Sequence, residues 1–246
     1  MSIRAAGPAR RAGAPWHPGA VHTPPGQTAV ATPFALRWAA LEAPFAADGY
    51  AGDPDAGDPD GLVVVGAAAP TVVVTAPHAC NHRRDDRTKL ADRGTGGLAL
   101  LLAEVTGCAA VVALGAAGGD ANWDAHHPLK DRLAALRPAA VVDLHGMRTR
   151  PGYDLDLGLG PGVRPAGTDA AVEALRATGL RVTTDGLFDA MRPTTVTAWA
   201  QAQGVPAVQV EVGAHLRPPV AGERGQERLA GALLAALGAI AAGIRA

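Results

Sequence analysis

Three short runs constrain this chain most. They are Val72–His82 (VVVTAPHACNH), Ala140–Gly146 (AVVDLHG) and Ala207–Gly213 (AVQVEVG). Each opens apolar and β-branched and closes on a residue able to bind a metal or move a proton. A parallel strand is covered on both faces, so it reads as a continuous Val/Ile/Leu run rather than an alternating one. Open α/β sheets collect ligands at the carboxyl ends of such strands. His78, His145 and Glu211 are therefore expected to converge on one sheet edge.

The rest of the chain supports that sheet. From residue 62 onward, strand patterns alternate with helix patterns. Strands are expected at Leu62–Val65, Thr71–Thr75, Ala109–Leu114, Ala139–Leu144, Asp154–Leu159, Leu180–Thr184 and Ala207–Val212. Helices are expected at Gly96–Val105, Ala125–Leu136, Thr168–Thr178, Thr194–Gln203 and Glu227–Ile244. Such alternation implies βαβ units. The fold class expected is α/β: a single three-layer domain over residues 31–246, with a mainly parallel mixed sheet and helices on both faces. Residues 1–30 are rich in Ala, Pro, Gly and Arg without period and read as a disordered arm carrying His17 and His22. The repeated Ala-Gly-Asp-Pro-Asp of residues 51–60 lacks the ligand series of a calcium loop and reads as a turn.

Composition excludes several partners. At 246 residues and 48% hydrophobic, the chain can bury a substantial core, and with 4% aromatics that core is aliphatic. A net charge of −1 without a basic run argues against nucleic acid and anionic membrane. No 18-residue uncharged apolar stretch reads as a membrane span. Arg10-Arg11 is followed by no apolar region, so no signal peptide is expected. Two cysteines, Cys80 and Cys108, fit a reduced, cytoplasmic setting.

At the expected site, His78 and His145 are candidate ligands for one divalent ion, with zinc the expected metal. Asp143, two residues before His145, points the same way from an extended chain, and a carboxylate often orients a ligating imidazole. A catalytic zinc has three protein ligands and an open position. His82 is the expected third ligand; Asn81, Asp86, Asp92 and Cys80 are rivals. Glu211, a carboxylate inside an apolar strand, is costly to bury unless it acts. Its expected role is general base towards a metal-activated water, against a structural ion pair with Arg217 or Arg192. Asn122 in Gly118–Trp123 is placed to hold a substrate carbonyl or carboxylate. His126 and His127 are expected in a solvated first helical turn. Lys89, Arg93, Arg148 and Arg150 crowd the same edge and suit an anionic substrate.

These segments, in this order, resemble the N-formylglutamate amidohydrolase family within the zinc-carboxypeptidase-like hydrolases. The matching pieces are Ala76-Pro77-His78, Asp120-Ala121-Asn122, Asp143-Leu144-His145-Gly146 with Leu157-Gly158, and Gln209-Val210-Glu211. The Asp-Leu-His and Val-Glu-Val-Gly pieces also look like aspartoacylase-type enzymes. The resemblance implies a zinc-dependent amidase acting on a small anionic N-acyl amino acid, with His78 and His145 as ligands and Glu211 as base. Two positions depart from the pattern. Trp123 stands where relatives often carry an Arg for the substrate carboxylate, leaving Arg148 as the expected substitute. Asn81 stands where carboxypeptidases and aspartoacylases carry a Glu. Two other readings compete: a Cys80 nucleophile with His78 or His82 as base, and a non-catalytic binding protein on the same fold.

Overall fold

The computed structural model describes residues 33–52, 60–114 and 119–246. The N-terminal arm, most of the Asp-Pro repeat and Gly118 lie outside the described residues. Nine strands and six helices follow, in chain order: α1 (Phe34–Ala46), β1 (Leu62–Val65), β2 (Val72–Ala76), β3 (His82–Arg84), β4 (Arg87–Lys89), α2 (Thr95–Thr106), β5 (Ala109–Ala113), α3 (Pro128–Leu136), β6 (Ala140–Met147), β7 (Leu155–Gly158), α4 (Thr168–Ala177), β8 (Val182–Thr184), α5 (Val196–Ala202), β9 (Ala207–Gly213) and α6 (Glu223–Arg245).

Seven strands make one sheet in the order β1-β5-β2-β6-β9-β7-β8. The central run β5-β2-β6-β9 is parallel. Strand β1 joins antiparallel at one side, and β7, antiparallel to β9, carries β8 at the other. The sheet is thus mixed and mainly parallel, as expected. One face carries Val74, Val142, Leu144 and Val210 into a core under α1, α2, α4 and α6. The other face carries Val73, Val111, Val141 and Ala207 against α3 and α5. Both faces are covered, which explains the uninterrupted apolar strands. Helix α6 is long and apolar enough to cross a membrane by length and composition. Its Leu229, Leu233, Leu237 and Ile240 are buried in the larger core.

Two elements had no counterpart in the sequence reading. Helix α1 contains Pro44 and shows no clear apolar stripe, yet it buries Trp38, Leu41 and Phe45. The β3–β4 hairpin is built of His82, arginines, Thr88 and Lys89, with Asp85 in the left-handed region at its turn. Helix α3 also begins later than expected. His127 is its N-cap, accepting from the Leu129 N–H, and Pro128 sits at the first helical position. His127 is therefore buried rather than solvated, and burial pushes its pKa down to about 4.

Helix α1 matters to the site because it caps α2. Buried Glu42 accepts from the Gly94 and Gly97 N–H groups, both at 2.7 Å. Trp38 Nε1 donates to Gly94 O at 2.8 Å. A carboxylate at a helix N-terminus satisfies orphan donors and meets the positive end of the dipole. The helices touch so closely that a Cβ on Gly97 would lie 2.7 Å from Glu42 N and 2.9 Å from its Cα. In an ordinary helix, Gly→Ala stabilises by about 0.5–1 kcal/mol. Gly97→Ala is expected to do the opposite, destabilising by about 1–3 kcal/mol through overpacking. The urea unfolding midpoint reports the sign.

Candidate active site

His78 leaves the end of β2, His145 lies near the end of β6 and Glu211 near the end of β9. His145 and Glu211 are direct cross-strand partners. Their side chains rise from the α3/α5 face of the sheet, beyond the ends of those two helices. Asp143 and Gln209 form the preceding pair on the same face. The convergence expected from the three runs is therefore present.

Two carboxylates orient the imidazoles. His78 Nε2 lies 2.9 Å from Asp120 Oδ1. His145 Nε2 lies 3.0 Å from Asp143 Oδ2, the i, i+2 pairing expected of an extended strand. Asp143 Oδ1 accepts from Thr75 Oγ1 at 2.6 Å. A carboxylate facing Nε2 places the ring proton there. Both Nδ1 atoms are left facing inwards. They are 3.2 Å apart, and Asp92 Oδ2 sits 3.3 Å from His78 Nδ1 and 3.5 Å from His145 Nδ1. Zinc bonds of about 2.0–2.1 Å in a tetrahedron require ligand–ligand edges of about 3.4 Å. Two inward lone pairs and a carboxylate at these spacings fit a divalent cation.

In the group that joins both strand-end histidines the third donor is Asp92; His82 belongs to a different group. His82 stacks flat on His78, with centroids 4.1 Å apart and rings 6° from parallel. Its Nε2 lies 3.2 Å from Asp120 Oδ2 and its Nδ1 3.3 Å from Cys80 O. His78, His82 and Asp120 form a second group with ligand-like spacing. Asp120 there already accepts from Arg84 Nε at 2.6 Å and from the Asn122 N–H at 2.9 Å. A cation would have to compete with a guanidinium. Among the described residues Asp92, by contrast, receives only the Gly146 N–H at 3.1 Å besides the two histidines. The rival Asn81 spends its side chain on the backbone of Gly49 and Ala91, and Asp86 is exposed.

The electrostatics follow. Burial works against the charged form of His145, but Asp143 outweighs it and raises the pKa well above the usual value. Burial pushes Asp92 up, but the two histidines outweigh it and hold its carboxyl far below the usual range. Glu211 differs. Its one side-chain partner among the described residues is Gln209 Nε2 at 3.3 Å, and burial lifts its pKa to about 7 despite His145. The ion pair weighed for it is not made. Arg217 gives its guanidinium to the backbone carbonyls of Val212, Met147 and Arg93. A Cβ on Gly146 would run into that guanidinium. Arg192 instead stacks on Trp123, 3.3 Å above the ring, with Arg84 4.8 Å from the same ring.

A cleft of about 520 Å³ opens over this centre. Arg84, Lys89, Arg148, Arg150 and Arg192 line it, together with Asn122 and Trp123. Arg93 is not part of it and lies against Tyr50, 5.5 Å from the ring. Asn122 is held in place: its Oδ1 accepts from the Val196 N–H at 2.8 Å and its backbone carbonyl from Thr194 Oγ1 at 3.1 Å. Cys80 is absent from the cleft, is 3% exposed, and burial pushes its thiol up to about 12. A thiolate nucleophile there is untenable. Asp92 and Asp120 were the residues hardest to find from sequence. Asp92 was one of several acidic candidates, and nothing local marks Asp120 as the partner of His78.

No family model and no curated relative matches the sequence. Solved structures do. The chain is similar to gene product Atu2144 from Agrobacterium tumefaciens, with TM-score 0.53 and 17% identity over 75% of this chain and 95% of that one. It is similar to N-formylglutamate amidohydrolase from Ralstonia eutropha JMP134, with TM-score 0.51 and 14% identity over 73% and 97%. The chain has the fold of that amidohydrolase. It is also similar to a bacteriophage poly-gamma-glutamate hydrolase, with TM-score 0.51 and 14% identity over 74% and 90%. The amidohydrolase fold is the one the strand-end motifs led us to expect.

The raised Glu211 pKa gives a stability test. In the metal-free protein the native state holds a proton that the unfolded chain releases between pH 4.5 and about 7. Stability therefore falls as pH rises through that window. Glu211→Gln carries no such proton. It should gain on the wild type from pH 5 to pH 8, by up to about 3 kcal/mol. Denaturant unfolding in a chelator measures the gap; a gap independent of pH would mean that Glu211 ionises freely.

Proposed function

We infer that the chain is a metal-dependent hydrolase of a C–N amide bond outside a peptide backbone. It removes the acyl group from an N-acylated amino acid or a similar small anionic amide. One observation carries this reading: two carboxylate-oriented imidazoles and Asp92 present three inward donors at 3.2–3.5 Å from one another, with Glu211 on the neighbouring strand. The fold likeness to an N-formylglutamate amidohydrolase supports it.

His78, His145 and Asp92 would hold the ion, which fits zinc. Once bound, the ion supplies Lewis acidity, polarising the amide carbonyl and making water acidic enough to ionise near neutrality. Glu211 takes one proton from the attacking water. The water oxygen forms a bond to the carbonyl carbon and the C–N bond breaks. Glu211 then returns its proton to the leaving nitrogen, so that the products are a carboxylic acid and an amine. A carboxylate beside the ion can both take and return that proton. Asp120 and Asp143 act through the histidines as positioning residues. Arg192, stacked on Trp123, lines the cleft on that side. With Arg148 it gives the substrate carboxylate a cationic wall.

Elemental analysis should find one zinc per chain. His78→Ala, Asp92→Ala and His145→Ala should lose it, whereas His82→Ala should keep it. Glu211→Gln should retain metal and fold while kcat on N-formyl or N-acetyl amino acids falls by about 10²–10⁴. Arg148→Ala and Arg192→Ala should raise KM for a carboxylate-bearing substrate more than for its amide analogue. Zinc retained by Asp92→Ala would refute the ligand set. Tight ligand binding without turnover by the zinc-loaded wild type would favour a binding protein.

A further inference from the structure

One wall of the cleft is unlike the rest. Leu187, Phe188, Ala190 and Met191 line it, with the exposed Asp189 between them. Leu187 is 46% and Met191 51% exposed. A single exposed apolar side chain needs no explanation, but apolar side chains grouped at a cleft mouth mark a contact surface. The remaining lining is dominated by the five cations named above.

The wall is rigid rather than floppy. Buried Asp156 accepts four hydrogen bonds from it and from β8: Thr183 Oγ1 at 2.6 Å, and the N–H groups of Gly186, Leu187 and Phe188 at 3.2, 2.6 and 3.0 Å. Gly160 N–H donates to Asp189 O at 3.0 Å, and Met191 N–H to Asp189 Oδ1 at 3.0 Å. Gly158 lies beneath the segment, where a Cβ would strike the Phe188 carbonyl. Ala190 is held in the left-handed region at φ 57°. Burying a carboxylate and straining a non-glycine residue are costs. Here both accompany a fixed loop on which Leu187 and Met191 face solvent, Phe188 is half-buried and Ala190 is buried.

Position supplies the link to chemistry. Asp156 is the cross-strand partner of Glu211. Directly opposed residues point to the same sheet face. The pinned wall therefore stands beside the base. The cleft is also larger than an N-formyl amino acid needs, since about 520 Å³ lies in the range that accepts a drug-sized ligand.

We propose that the acyl group taken by this site is an apolar chain longer than formyl or acetyl, seated on Leu187, Phe188 and Met191 beside Glu211. The substrate is then amphipathic: an amino-acid carboxylate faces the arginines and an alkanoyl arm lies on the apolar wall. This rests on the amidase reading above.

The test is a series of N-acylglutamates from formyl through acetyl, butanoyl and hexanoyl to octanoyl, assayed with the zinc-loaded full chain. The ratio kcat/KM should rise by about fourfold per methylene while the chain is being buried. Leu187→Ser and Met191→Ser should flatten that rise. Calorimetric titration of Glu211→Gln gives a readout free of turnover: N-octanoylglutamate should bind more tightly than N-formylglutamate, with a more negative heat-capacity change. Hydrolysis of N-formylglutamate with a flat or falling chain-length profile would overturn the acyl-wall proposal and leave the amidase reading intact. No hydrolysis of any member would overturn the amidase reading, and the titration then decides whether the wall binds alkanoyl chains. A concentration-dependent dimer that Leu187→Ser makes monomeric, with the profile unmoved, would assign the wall to a second copy and overturn the proposal.

Discussion

The register between β6 and β9 carries the rest of the structure. It sets His145 opposite Glu211 and Asp143 opposite Gln209. The alternate residues Val142, Leu144, Val208 and Val210 point to the other face and are buried in the larger core. A slip of one residue would exchange the two sets, forcing imidazole and carboxylates into the apolar layer and valines into the cleft. The burial that specifies the register is thus the same burial that places the chemistry. No separate device is needed to aim these four side chains.

Once aimed, they and the buried charges around them must each be satisfied. The surroundings do this by giving each buried charge a task. Asp120 and Asp143 each orient one imidazole, and Asp156 pins a loop. Lys130, 1% exposed, donates to the carbonyls of Asp124 and Thr194 at 2.6 and 2.9 Å. It thereby ties the turn that carries Asn122 and Trp123 to the segment that follows Arg192. Thr194 Oγ1 adds a bond to the Asn122 carbonyl at 3.1 Å. Glu211 is the exception, with a single weak partner and a raised pKa. An under-satisfied buried carboxylate among well-satisfied ones is what a site that moves protons requires.

The sequence displayed the parts of this arrangement that rest on period and hid those that rest on contact. The parallel strands β5, β2, β6 and β9 could be read because strands covered on both faces are uniformly apolar. His78, His145 and Glu211 stood out as polar residues ending such runs. The ion pair between Asp143 and His145 followed from spacing alone. Asp92 could not be separated from Asp86, because which acidic residue turns inwards is decided by a loop closure: its N–H reaches the His78 carbonyl and its own carbonyl receives Thr95. His82 was drawn to the metal by type and proximity in sequence, but β3 carries it onto the His78 ring face. Helix α1 stayed hidden because its apolar residues form no clean stripe and Pro44 interrupts it. The hairpin β3–β4 stayed hidden because its residues are polar or charged and carry no apolar alternation.

Asp92 also shows why helices remote from the cleft belong to its design. His145 lies inside β6, paired to β9, and His78 stands in the turn two residues past β2. The third donor comes from a loop, which has no such frame. Its frame is the start of α2, two residues on, where Gly94 adopts φ 90° and Glu42 and Trp38 of α1 bind its N–H and carbonyl. The Gly146 N–H, in turn, ties the Asp92 carboxylate back to β6. A short path of hydrogen bonds thus runs from a helix on the far layer, through a helix cap, to the third donor. Packing of α1 on α2 does for Asp92 what sheet register does for His145, and a donor triangle with edges between 3.2 and 3.5 Å is possible only because both frames are rigid.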